Sequence, residues 1–189
     1  MASNDCATQV SSHINCIDPS IYKLGMKYMI ISKRMSGKTT LIKNIINLLI
    51  KDDNHIVVVF SRVSAPDYNG TLYDKFNIEI IHKLCSDNPS KNIICVIDDS
   101  ISLLNEQIST LKYNNLTLFV EQQYVIKKAE YVYDIYLFGK DNNISNIKKI
   151  YEKFGNTNKY SFSTFNNIMN SLENFNFLIT YENELYKSF

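Results

Sequence analysis

The residues best suited to chemistry fall in the stretch MIISKRMSGKTTLIKNII, residues 29–46. Ser32, Lys33, Arg34, Met35, Ser36, Gly37, Lys38 and Thr39 fill the eight positions of a G-x-x-x-x-G-K-[ST] phosphate loop. Ser32 stands where the first glycine is usual. Such a loop binds anions because backbone N–H groups and a helix N-terminus converge on one point. Lys38 would reach the β- and γ-phosphates of ATP, Thr39 would ligate Mg2+, and Thr40 completes the nucleotide-binding set. Gly37 is needed where the backbone closes on phosphate and a Cβ would obstruct it. Ser32 gives up a glycine's conformational freedom but keeps the loop length and a small side chain.

A second chemical signal is NIICVIDD, residues 92–99, an apolar run ending in two acids. Asp98 and Asp99 would emerge at the C-terminal edge of a sheet, where open α/β sheets hold their ligands. Asp98 suits the Mg2+-linked role through water, and Asp99 is placed to orient or activate the attacking water. A third signal is FVEQQY, residues 119–124. Gln122 at this strand end is the candidate contact to the γ-phosphate or the lytic water, with Gln123 as the alternative. Alternating side-chain direction lets only one of the two face the site. Glu121 reads as a strand cap.

The elements that must position these groups alternate along the chain. MKYMIIS (26–32) predicts a strand, and KTTLIKNIINLLI (38–50) puts Leu41, Ile42, Ile45, Ile46 and Leu49 on one helical face. HIVVVFS (55–61) predicts a buried strand, followed by a turn containing Pro66, Asp67, Asn69 and Gly70. NIEIIHK (77–83) reads as a further strand and ISLLNEQISTLK (101–112) as a helix. LTLFVEQQ (116–123) and YVYDIYLF (131–138) read as strands, then come helical patterns at 143–154 and 162–173 and a last strand at 176–182. Continuous apolar strands interleaved with helices predict an α/β fold, a three-layer P-loop NTPase with a mainly parallel central sheet. Residues 1–20 read as a loose polar lead-in, and 21–189 as a single P-loop ATPase domain.

Composition narrows the classes further. At 189 residues and 45% hydrophobic, the chain suffices for one domain with a sizeable core. A net charge of +1 makes no electrostatic case for a nucleic-acid partner, although a local groove can be basic on a neutral chain. Cys6, Cys16, Cys85 and Cys95 form no C-x-x-C pair, which argues against a zinc site or disulfide framework, and the tail cluster of Cys6, His13 and Cys16 reads as scattered residues. With no signal peptide and no apolar run near 18 residues, the expectation is an intracellular protein without a membrane segment.

The phosphate loop, FSRVSAPDYNG (60–70), VIDD (96–99), LFVEQQY (118–124) and AEYVYDIYLF (129–138), in this order, resemble the DNA-packaging ATPases of large eukaryotic DNA viruses. These are poxvirus- and iridovirus-type members of the FtsK–HerA branch of P-loop ATPases, and the resemblance covers residues 25–182. Pro-Asp-Tyr-Asn-Gly after a β-branched strand is its least generic part. The resemblance implies a homo-oligomeric ring that hydrolyses ATP with Mg2+ at subunit interfaces and pumps double-stranded DNA into a capsid through a capsid or vertex protein. It also implies an infected host cell, with the cytoplasmic virus factory favoured over the nucleus, or the virion itself. Residue by residue, it gives Lys38 and Thr39 to nucleotide and Mg2+, Asp98 to the metal, Asp99 to the water and Gln122 to the γ-phosphate.

Three departures stand out: Ser32 for glycine, Asp99 where many relatives carry Glu, and the arginine supply. Ring ATPases usually complete the site with an arginine from the neighbour, worth roughly 10³–10⁵ in rate. The only arginines are Arg34 and Arg62. Arg62, Arg34, or a lysine such as Lys127 or Lys128 with poorer geometry must serve, or turnover is low. Lys127–Lys128, Lys140 and Lys148–Lys149 are candidate DNA-phosphate contacts, weighed against ordinary solvated lysines. Two competing readings are a viral nucleoside kinase and a non-hydrolysing nucleotide-binding assembly subunit. The kinase type usually carries C-x-x-C pairs in its second half, where this chain has no cysteine after Cys95.

Overall fold

Uninterrupted apolar strands need cover on both faces, and the helices supply it. The computed structural model describes residues 14–61, 68–98, 104–123, 132–155 and 159–188. The strands are β1 (Lys27–Ile31), β2 (His55–Phe60), β3 (Thr71–Tyr73), β4 (Asn92–Ile97), β5 (Leu116–Gln122), β6 (Ile135–Gly139), β7 (Phe177–Tyr181) and β8 (Glu184–Lys187). They form one eight-stranded sheet in the order β3-β2-β4-β5-β1-β6-β7-β8. Pairing is parallel from β3 to β6 and antiparallel for β7 and β8.

The period-two alternation of the strands sorts the core into two layers. Tyr28, Ile30, Val57, Val59, Ile94, Val96 and Phe119 pack with Ile42, Ile45 and Ile46 of α1 (Lys38–Leu49). Met29, Ile31, Val58, Phe60, Cys95, Ile97, Leu118 and Val120 face the other way. There they meet α2 (Ile78–Asp87), α3 (Leu104–Thr110), α4 (Ile144–Phe154) and α5 (Phe162–Ser171). The three-layer, mainly parallel α/β fold expected from the sequence is therefore the observed one. Lys27 supports the second layer, its ammonium donating to the carbonyls of Leu111 (2.7 Å) and Ile108 (3.2 Å) at the end of α3.

Three readings need correction. Residues 77–83, expected as a strand, begin α2. Asn77 caps it by accepting from the Glu79 N–H at 3.0 Å, and Ile81 and Cys85, four apart, supply the buried stripe. The last strand is followed by β8, a hairpin turned at Glu182 and Asn183 with φ of 49° and 63°. Two positive φ values fit a tight hairpin turn, but Glu at the first position hid it. The lead-in is not loose from residue 14 onward: Ile17 is buried, and its N–H donates to the Lys187 carbonyl at 2.8 Å.

Candidate functional site

β1 delivers the chain to the sheet's C-terminal edge, and the loop after it turns directly into α1. Gly37 is the N-cap of α1 at φ +91°, a left-handed conformation that glycine adopts without a Cβ penalty. Met35 in the same loop has φ 59° and is almost wholly exposed. Lys38 folds back over the loop, its ammonium donating to the carbonyls of Ser32 (3.1 Å) and Lys33 (2.9 Å). That leaves a cation at the mouth of a helix N-terminus. Thr39 follows on the first turn, and Thr40 is exposed beside it.

Ser32 finds its room in the neighbouring strand. Its φ is not among the positive values, so the backbone does not use the freedom a glycine would offer. Its hydroxyl lies against Gly139 of β6, where an added Cβ would come within 2.0 Å of Ser32 Oγ. The glycine needed at this contact is thus in β6 and not in the loop. Lys33, next in the loop, pairs with Asp141 at 3.3 Å.

The strands on the other side of β1 bring the acids. Asp98, directly after β4, shares its parity with Ile94 and Val96, and its Oδ2 accepts from the Ser61 hydroxyl at 3.0 Å. β5 lies between β4 and β1, so its end stands between Asp98 and the loop that follows β1. By alternation Glu121 joins Phe119 on the α1 face, whereas Gln122 joins Val120 on the opposite face. Glu121, read from sequence as a strand cap, is 3% exposed and accepts from the Tyr68 hydroxyl at 3.1 Å. Burial and then the Glu121 charge push the Tyr68 phenol well above its ordinary pKa, keeping it protonated. The Thr39 hydroxyl is the neighbour that pulls the other way.

Thr39, Tyr68, Glu121, Asp98 and Ser61 therefore gather on one face of the sheet edge. Gln122 joins the site by its backbone: its carbonyl accepts from the Ser32 N–H at 3.0 Å. Neither atom of its buried side-chain amide has a hydrogen-bond partner among the described residues. Gln123 lines a small pocket with Ser32, Lys33, Gly139 and Lys140. Asp99, Arg62, Lys127 and Lys128 lie outside the described residues. Arg34 is exposed on the loop between β1 and α1, and Lys148 pairs with Glu152 across 3.9 Å on α4. Sequence reasoning missed Tyr68 and Glu121; the signal was a lone acid inside an apolar strand, which must be paired if buried.

The donor set fits a magnesium nucleotide. The hydroxyl of Thr39 and the carboxylate of Asp98 are hard oxygen ligands. Among the described residues no three His, Cys, Asp or Glu side chains cluster, so a divalent ion here would need phosphate oxygens to complete its shell. Ser36 Oγ, inside the loop, is buried with no partner among the described residues, as a group reserved for an anion would be.

The sequence matches no family model, and it matches no curated protein. Solved structures share the fold. The genome packaging NTPase B204 from Sulfolobus turreted icosahedral virus 2, in complex with AMP, superposes with TM-score 0.61 at 15% identity, covering 92% of this chain and 100% of that one. B204 from Sulfolobus turreted icosahedral virus, a DNA-packaging ATPase, gives TM-score 0.62 at 14% identity over 88% and 98%. The pCW3 conjugation coupling protein TcpA, with ATPγS, gives 0.54 at 12% identity over 88% of this chain and 60% of that one. At such identities the likeness establishes the fold alone.

Proposed function

We propose that the chain is an ATPase motor that moves double-stranded DNA into a viral capsid, working as a homo-oligomer. The observation that carries the catalytic half is the convergence of Thr39, Tyr68, Glu121 and Asp98 on one face of the sheet edge, next to the loop over which Lys38 folds. The likeness to packaging NTPases over nearly the whole chain supports the DNA-moving half. The eukaryotic-virus type rests on the order of the sequence motifs.

In this reading, Lys38 exchanges two loop carbonyls for phosphate oxygens when ATP arrives. Mg2+ supplies charge neutralisation between the phosphates when bound. Thr39 and Asp98 would hold it, Asp98 being oriented by the Ser61 hydroxyl. A threonine hydroxyl that gives its lone pair to a metal needs an acceptor for its proton. Tyr68 is that acceptor, since its own proton is committed to Glu121. Asp99 orients the attacking water, and Gln122 senses the γ-phosphate through its link to Ser32.

Phosphate release from wild type and Lys38→Ala, with and without linear double-stranded DNA, tests the reading. DNA-stimulated turnover that disappears in the variant supports it. Turnover retained by Lys38→Ala would sink it.

A further inference from the structure

Phe175 lies in the connection between α5 and β7, with its backbone at φ 71° and its residue 63% exposed. A left-handed phenylalanine costs on the order of 1–3 kcal/mol and persists only where its surroundings hold it. Its ring rests on the phosphate loop: a Cβ added to Gly37 would lie 2.3 Å from Phe175 Cδ1. β7 runs antiparallel to β6, with Phe177 beside Gly139, so this connection arrives at the same sheet edge as the loop.

The two flanks of the loop differ in chemistry. On the β5 and β4 side stand Glu121, Asp98 and Ser61, with Tyr68 bonded to Glu121. These groups suit a metal and the terminal phosphate. On the β6 and β7 side stands an exposed aromatic ring touching Gly37. A nucleotide whose phosphates rest on residues 37–39 must carry its base to one side of the α1 N-terminus, and the flank with the exposed ring is the one that offers a π-face. We infer that Phe175 is the platform on which the nucleobase stacks, so that the site takes a nucleoside triphosphate in preference to polyphosphate alone. The inference rests on the phosphate-loop reading and adds the ligand's other half.

Full-length wild type, Phe175→Ala and Phe175→Leu would be titrated with Mg·ATP and with Mg·tripolyphosphate. Loss of a stacked base weakens binding roughly tenfold or more. Both variants should therefore bind ATP at least tenfold more weakly and tripolyphosphate as wild type does. The chain has no tryptophan, so Phe175→Trp gives a single reporter. ATP should quench its fluorescence and tripolyphosphate should not. Equal loss of both ligands would make the ring a support for the loop and overturn the platform. Unchanged ATP binding, with altered sedimentation of the variants, would assign the ring to a second copy of the chain and overturn it too. Wild type binding neither ligand would overturn the phosphate-loop reading itself.

Discussion

The Tyr68 hydroxyl donates to Glu121 Oε1 across 3.1 Å, tying the segment that follows β2 to the buried end of β5. Tyr68 belongs to the least generic stretch of the sequence, and Glu121 is an acid in a strand whose every residue is buried. The bond gives both residues a reason. It satisfies a carboxylate that burial would otherwise penalise, and the Thr39 hydroxyl is the neighbour that acts on the same phenol in the opposite sense.

Tyr68→Phe removes the acceptor for the Thr39 proton and the donor to Glu121 while keeping the ring. Loss of a group behind a metal ligand typically costs 10–100-fold in metal affinity. Calorimetric titration should show ATP binding in the presence of Mg2+ weakened by about tenfold or more. Binding measured in EDTA should stay as in wild type.

Ser32 and Gly139 form a coupled pair. Gly139→Ala forces a methyl into the Ser32 hydroxyl and should lower stability and ATP affinity together. Ser32→Gly, harmless alone, should restore much of both in the double variant. Additive losses in thermal melts and titrations would show that the contact is not what fixes the loop.

Gln122 carries two buried polar atoms without partners among the described residues. Gln122→Met keeps the volume and removes them, so the nucleotide-free protein should gain about 1 kcal/mol, seen as a rise of roughly 2–4 °C in melting temperature. Gln122→Met leaves in place the carbonyl that accepts from the Ser32 N–H, so ATP binding and hydrolysis should persist in the same variant.

α1 and β4 were readable in the sequence because each is a local pattern. A Gly-Lys-Thr opening an amphipathic helix depends only on neighbours in the chain, and α1 begins at Lys38 with Gly37 as its N-cap. The partners of Ser32 and Glu121 were not readable. Gly139 is 107 positions away from Ser32, and Tyr68 is 53 positions away from Glu121, so only the assembled sheet reveals them. Residues 77–83 misled because isoleucine favours strands, yet Asn77 and burial of Ile81 and Cys85 decide for a helix. Phe175 gave no signal, since a lone aromatic in a polar connection is ordinary until its ring is found on Gly37.

The central claim is that hydrolysis moves duplex DNA, and displacement of a third strand from linear double-stranded DNA measures that motion directly. The account predicts that wild type strips the third strand when ATP and Mg2+ are present, and that Lys38→Ala leaves it in place. ATP turnover by wild type with the third strand still bound would contradict the account, leaving a nucleotide hydrolase that does not translocate.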